Sequence, residues 1–123
     1  MLDLRKIAQQ ETTLSELMID KEKGETKDLI ARKESVTIVD CDFVTQTKDG
    51  KSEEYWIFVT EEYPTKFFYA GCVMDRIFNA TLKQAQGDYD EVRKAVREQT
   101  LTVKFDEKKT SDGKRTVTTV TVI

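Results

Sequence analysis

The sequence contains no histidine, and it has only one proline, two cysteines and five glycines among 123 residues. Without histidine the chain lacks the commonest general base of enzymes and the commonest protein ligand of transition metals. It also has no imidazole to activate a serine or cysteine nucleophile. We therefore predict a protein that is not an enzyme and that carries no catalytic residue, no metal site and no cofactor.

Long hydrophobic runs are also missing, since no window approaches the roughly 18 to 20 apolar residues of a membrane-spanning helix. Residues 1–10 lack the apolar core and small-residue cleavage site of a secretory signal. Cys41 and Cys72 are each flanked by apolar residues, which is typical of small buried side chains in a reducing compartment rather than of a disulfide framework. We therefore predict a cytoplasmic protein with no membrane partner.

Charged residues make up 35% of the sequence, and the formal net charge is -3. An acidic protein of this size lacks the broad basic surface of a tight duplex-DNA binder. Residues 101–123 nevertheless contain five basic residues against three acidic ones. This uneven distribution is compatible with a local contact to a polyanion.

The length and the 38% hydrophobic fraction suit a single domain formed by residues 1–123. Within it we distinguish a helical or irregular extension, residues 1–33, from a folded body, residues 34–123. Thr13 and Glu16 form a capping-box pattern that predicts a short helix in the extension.

The body shows three strand patterns, a helical stretch and two further strand patterns. The predicted strands cover residues 35–45, 54–60, 66–70, 101–105 and 116–123. The predicted helices, placed between the third and fourth strands, cover residues 73–85 and 88–98. Asp49-Gly50 predicts a tight turn between the first two strands, and Asp112-Gly113 predicts one between the last two.

This order predicts a mainly β protein with a helical insert, namely a five-stranded OB-like barrel preceded by an N-terminal helical extension. The alternative is an α+β sandwich, in which a twisted sheet packs on the two helices. We favour the barrel because an open sheet this short would leave apolar edges exposed.

Two segments resemble small proteins encoded by bacteriophages and prophages of Gram-positive bacteria. They are EYWIFVTEEYPTKFFYAGCVM, residues 54–74, and KKTSDGKRTV, residues 108–117. These proteins are associated with OB folds that bind single-stranded DNA, and the resemblance extends over residues 36–123. It implies action in the cytoplasm of an infected host during phage replication or recombination. It also implies self-association into a homo-oligomer and contact with replication or recombination proteins.

The second predicted strand is apolar on both faces, since Tyr55, Ile57 and Val59 alternate with Trp56 and Phe58. We predict that the first three fill the barrel and that Trp56 and Phe58 lie outside it. There the two rings would stack on bases, a contact that tolerates any sequence. The alternative is that the N-terminal helix, the helical insert or a second subunit covers these two rings.

Two residues of the third predicted strand extend this candidate surface. A four-residue loop, residues 62–65, would make Tyr69 the cross-strand neighbour of Phe58 and place it on the same outer surface. A loop one residue different in length would reverse that assignment. Lys66, followed by two phenylalanines, has the mixed cationic and aromatic character of a groove that binds a single strand.

The basic residues of the last hairpin are candidates for phosphate contact, because the loop between strands four and five binds nucleic acid in OB folds. They are Lys104, Lys108, Lys109, Lys114 and Arg115. The alternative is a solvated hairpin whose charges protect the sheet edge from aggregation.

Asp40 and Asp42 lie on the same side of the first predicted strand, where two carboxylates could hold a divalent cation. No further carboxylate cluster converges on them in the sequence pattern. We therefore interpret them as solvent-facing or turn-directing residues.

Together these features favour a non-enzymatic protein that binds single-stranded DNA. The alternative function is a protein–protein interaction or assembly module of phage origin, whose exposed aromatic residues bind protein. The acidic net charge favours this alternative, whereas the strand order and the basic hairpin favour DNA binding. The two differ in salt response, because phosphate binding weakens steeply as salt rises.

Overall fold

The computed structural model of the chain describes residues 2–4, 16–48 and 50–123. The described part contains short elements before residue 32, then a sheet with two longer helices inserted into it. The helices are α1 (Glu16–Ile19), α2 (Thr26–Ala31), α3 (Gly71–Gln84) and α4 (Tyr89–Gln99). The strands are β1 (Glu22–Lys23), β2 (Val36–Lys48), β3 (Lys51–Thr60), β4 (Lys66–Tyr69), β5 (Leu101–Lys109) and β6 (Thr116–Val122).

The strands form one curled sheet, a half-barrel, in the order β1-β4-β3-β2-β5-β6. β1 is parallel to β4, and the other pairings are antiparallel. The prediction of a mainly β protein with helices between the third and fourth long strands is confirmed. Among the described residues no pairing joins β4 to β6, so the half-barrel is open along that seam.

β2 is long because it serves two neighbours. Its first residues, Val36 to Ile38, pair with β5, and the stretch from Ile38 to Lys48 pairs with β3. The register shifts between Ile38 and Asp40, and such an irregularity bends a strand and increases its twist. The bend lets one strand belong to both halves of the curled sheet.

The tight turn predicted between the first two long strands is present in the structure, and the first turn of α4 has a side-chain cap. Lys48 pairs with Lys51 and Gly50 has a φ of +76°, which fits a two-residue hairpin. Asp49 lies outside the described residues, as do Thr13 and its capping box. Asp88 caps α4, because its carboxylate accepts hydrogen bonds from the N–H groups of Asp90 and Glu91.

The main core lies on the face of the sheet that packs against α3 and α4, here called the inner face. Its largest side chains are aromatic, with the ring of Phe58 centred 5.5 Å from that of Phe68 and 6.0 Å from that of Phe105. Leu29 of α2 is fully buried in the same core. The N-terminal extension therefore contributes to the core of the body.

A second, smaller cluster lies on the opposite face of β2, β3 and β4, here called the outer face. Its buried members are Val44, Ile57, Val59 and Phe67. Leu17 and Met18 of α1 pack against it together with Tyr55 and Tyr69. Both faces of β3 are thus apolar because the inner face packs in the main core and the outer face packs in this second cluster.

The two cysteines differ in environment. Cys41 is buried in the main core, as predicted, whereas the same prediction for Cys72 is wrong, because its side chain is exposed near the start of α3. In the described ranges no helix combines the length and apolar character needed to cross a membrane.

Candidate nucleic-acid interface

The predicted two-faced pattern of β3 is confirmed, but the predicted assignment of the faces is wrong. Trp56 and Phe58 point into the main core, where each is only 1% exposed. α3 covers Trp56 with the ring of Phe78 at 5.3 Å, and Asn79 Oδ1 accepts a hydrogen bond of 2.8 Å from the indole N–H. The physical reason is that the indole needs both apolar cover and an acceptor, and α3 supplies both. Neither ring is available to stack on a base in this structure.

Tyr69 also differs from the prediction, because the register of β4 is shifted by one residue. Tyr69 pairs with Ile57, and Phe68 pairs with Phe58. β3 continues to Thr60 and β4 starts at Lys66, so the connection is one residue longer than the predicted loop. A shift of one residue moves a side chain to the other face of the sheet. Tyr69 therefore lies beside Ile57 on the outer face, on the side of the sheet opposite to Phe58 and not next to it as predicted.

On the outer face Tyr69 meets Tyr55, although Tyr55 is predicted to lie in the barrel interior. The two rings pack edge to face, with centroids 4.9 Å apart and an interplanar angle of 84°. Both side chains are half-buried, so each keeps part of its ring accessible. Burial, with the adjacent Tyr69, raises the pKa of Tyr55 to about 12, so its hydroxyl is neutral at physiological pH.

A cation completes this aromatic pair. The ammonium of Lys23 in β1 lies 4.8 Å from the centroid of the Tyr69 ring. This position depends on the parallel pairing of β1 with β4, which the N–H of Gly24 extends by donating to the carbonyl of Phe67 at 2.7 Å. We call Tyr55, Tyr69 and Lys23 the tyrosine face.

A shallow polar depression of about 230 Å³ adjoins the tyrosine face. Lys23, Gly24, Glu25, Thr26 and Tyr69 line it. Gly24 is required there, because a Cβ at this position would clash with the Phe68 ring. The close approach of β1 to the core brings Lys23 beside Tyr69.

Lys66 is half-buried at the start of β4, where its backbone N–H donates to the carbonyl of Tyr63 at 3.1 Å. The rings of Phe67 and Phe68 are buried on opposite faces of the strand. The expected groove of Lys66 with both phenylalanines is therefore not formed. Lys23, which is not among the predicted site residues, makes the cation contact to the aromatic surface.

The five basic candidates lie on the β5–β6 hairpin. Lys108, Lys109, Lys114 and Arg115 are exposed, and Lys104 is half-buried. In the described part of the chain none of these five side chains takes part in an ion pair. Their charges are therefore available to an external anion.

The turn of this hairpin is closed by several internal hydrogen bonds. The Thr110 N–H donates to the Arg115 carbonyl at 2.9 Å, and Gly113 N–H donates to the Thr110 carbonyl at 2.8 Å. Asp112 accepts hydrogen bonds from the Thr110 hydroxyl and the Lys114 N–H. The same two bonds lower the pKa of Asp112. The carboxylate is thus held by the turn itself.

Asp40 and Asp42 are engaged in ion pairs that the sequence did not reveal. Asp42 accepts from Arg93 of α4 at 2.7 Å, and Asp40 accepts from the Nε of Arg97 at 2.8 Å. The hydrogen bond to Asp40 raises the pKa of Arg97. No cluster suited to a metal ion occurs in the described ranges. The two aspartates hold α4 against β2.

These aspartates also cover part of a strand edge. The carboxylate of each one accepts the N–H of the next residue, at 2.9 Å in both cases, and those residues are Cys41 and Phe43. β5 pairs only as far as Ile38, so this stretch of β2 has no strand neighbour on that side. We call Asp40, Asp42, Arg93 and Arg97 the ion-paired edge.

A second cavity, of about 350 Å³, lies at the open seam between the start of α3 and β6. Its lining is mainly apolar and includes Val73, Phe105, Val117 and Val120. It was not foreseen from the sequence, because it arises only where the curled sheet fails to close.

No family model, curated protein or solved structure matches this chain. The resemblance to phage-encoded single-strand-binding proteins therefore stays a prediction.

Proposed function

We propose that this protein binds single-stranded DNA, without catalysing a reaction, on the outer face of an OB-like barrel. The observation that carries the proposal is the tyrosine face, where two partly accessible rings lie beside a lysine ammonium. Aromatic rings stack on bases of any sequence, and a neighbouring cation favours the phosphate backbone.

The sheet order supports this choice of surface. The strands from β2 to β6 are arranged as β4-β3-β2-β5-β6, the order of an OB barrel opened between its third and fifth strands, with helices between its third and fourth. OB folds bind oligonucleotides on the face of their second and third strands, which correspond here to β3 and β4. Tyr55 and Tyr69 lie on these two strands.

The basic hairpin supports the same proposal. It corresponds to the loop between the fourth and fifth strands, which together with the loop between the first and second strands flanks the OB binding face. The molecule has a net charge of -3, so its overall field does not attract DNA. Phosphate contact must then be local, through the unpaired lysines and arginine of the hairpin, and sensitive to salt.

The biological setting follows from the resemblance stated above. We propose that binding serves phage replication or recombination in the host cytoplasm, with replication or recombination proteins as partners. Neither role requires a cofactor.

The test is fluorescence anisotropy of a labelled oligo-dT with the wild type and with the double variant Tyr55→Ala, Tyr69→Ala. Loss of stacking should weaken binding by about 1 to 3 kcal/mol per ring. The matched control is Tyr55→Phe, Tyr69→Phe, which keeps both rings and should bind as the wild type does. A folded alanine variant with unchanged affinity would contradict the proposal.

The second candidate function, a protein-interaction or assembly module, is favoured by the apolar cavity at the open seam. Pockets of this size and polarity accept apolar side chains of a partner. Salt distinguishes the two functions, because an apolar contact does not weaken steeply as salt rises. Binding of oligo-dT that is absent even at low salt would favour this candidate.

A further inference from the structure

β6 is the outermost strand of the sheet, with β5 as its one neighbour among the described strands. We propose that β6 pairs antiparallel with β6 of a second copy of this chain, giving a two-fold dimer with a continuous sheet. The inference is independent of DNA binding.

The backbone of β6 has a free hydrogen-bonding side. The Ile123 N–H donates to the Thr102 carbonyl and the Thr110 N–H donates to the Arg115 carbonyl, each at 2.9 Å. In an antiparallel ladder the residues directed at the neighbour alternate with those directed away. Given the register of β5 with β6, the residues directed away from β5 are Thr116, Thr118, Val120 and Val122. Outside the strand ladder, no backbone hydrogen bond joins these four residues to another described segment.

The other described edges of the sheet are short or covered, since β1, the outermost strand on the opposite side, has only two residues. β1 pairs along β4, with the Glu22 N–H donating to the Thr65 carbonyl at 3.0 Å. The ion-paired edge covers the free part of β2. β6, by contrast, has the sequence TVTTVTV, without the charge or proline that usually protects an edge strand.

A two-fold axis through Thr119 makes β6 complementary to itself. In this register Thr116 faces Val122 of the second copy and Thr118 faces its Val120, so every outward backbone group is paired. Threonine and valine are good strand formers and pack well across a ladder. Val117 and Val122, which are 45% and 57% exposed, would be covered.

Charge favours this antiparallel arrangement. No charged side chain lies within β6, so the facing strands do not repel each other. Lys114 and Arg115 lie just before the strand, and antiparallel pairing places the two basic turns at opposite ends of the dimer interface. A parallel pairing would bring the basic turns of both copies together.

A cysteine scan tests the register. In the Cys72→Ser background, Thr119→Cys places two thiols opposite each other at a non-hydrogen-bonded pair, where Cα atoms lie about 4.5 Å apart. We expect this variant to form a disulfide-linked dimer on mild oxidation. The matched control Thr121→Cys should not, because the two copies of residue 121 would be about 13 Å apart along the strands. Crosslinking of residue 121 in preference to 119 would overturn the proposal.

A charge pair tests the same dimer interface without oxidation, by analytical ultracentrifugation. Thr119→Lys and Thr119→Glu should each raise the dimer Kd at least about tenfold, because like charges meet on the axis. An equimolar mixture of the two variants should restore the dimer. Thr119 pairs with Asp106 of β5 in the same chain. In the Thr119→Lys variant the new ammonium therefore also lies beside the carboxylate of Asp106. A wild type that is monomeric at micromolar concentrations, or variants that dimerise normally, would overturn the proposal.

Discussion

Both faces of β3 are apolar, but their side chains are buried to different extents. On the inner face Trp56 and Phe58 are buried in the main core, and the indole N–H has its own acceptor in Asn79. On the outer face Tyr55 and Tyr69 are half-buried and lie beside a cation. The comparison separates rings that stabilise the fold from rings that remain able to meet a ligand.

The largest expected effect is on the inner face. Trp56→Ala removes a fully buried ring and leaves Asn79 without its donor, so we expect a loss of about 3 to 5 kcal/mol in the free energy of unfolding. Urea denaturation measures it. Tyr69→Ala is the matched outer-face variant and should cost distinctly less stability, because its ring is half-exposed. Equal losses for the two variants would remove the distinction between the faces.

A pH effect of a few kcal/mol is expected from Cys41, which also lies on the inner face. Burial, with the nearby carboxylates of Asp40 and Asp42, raises the pKa of this thiol to about 12. The unfolded chain loses the proton near its ordinary pKa of 9.0 while the folded protein keeps it. The free energy of unfolding should therefore fall as the pH rises from about 9 towards 12.

Urea unfolding between about pH 8 and pH 10 checks this prediction, with Cys72→Ser as the control that keeps the slope. Cys41→Ala should reduce the slope. A thiol reagent should modify only the exposed Cys72 in the folded protein. Rapid modification of both cysteines would show that the Cys41 thiol on the inner face is accessible to the reagent, against this prediction.

The smallest effect on stability is expected from the basic hairpin. Exchange of Lys108, Lys109, Lys114 and Arg115 for glutamine should leave stability nearly unchanged, because these side chains are exposed. The slope of the logarithm of the oligo-dT binding constant against the logarithm of the salt concentration should become less negative. The change should be up to about 3, if each cation neutralises one phosphate. The control is Lys83→Gln with Lys94→Gln, two exposed lysines on helices. An equal change in the control would move the phosphate contact away from the hairpin.

Much of the secondary structure could be predicted because its signals are local. The Asp-Gly turns, the Asp88 cap and the change from a period of two to helical spacing depend on residues within a few positions of each other. The order of strands and helices followed from them. The sheet order β4-β3-β2-β5-β6 became visible only with the pairing of β2 to both β3 and β5.

The candidate site was harder to predict because it depends on which face of β3 the helices cover. Alternation shows that two faces exist, but it does not say which one is inside when both are apolar. The requirement of the Trp56 N–H for a buried acceptor was the available signal, and Asn79 in the predicted helix meets it. Lys23 and the arginines of the ion-paired edge reach their partners across long sequence separations, where spacing gives no information.

The shared strand β2 also shapes the route by which the chain folds. Its pairing with β3 closes a two-residue turn, and hairpins of this kind form within about 1 to 10 μs. Its pairing with β5 joins Ile38 to Leu101, and such distant contacts pay a larger loop-closure entropy before they contribute stability. We therefore expect the β2–β3 hairpin to form early in folding and the β5–β6 hairpin to dock on β2 later.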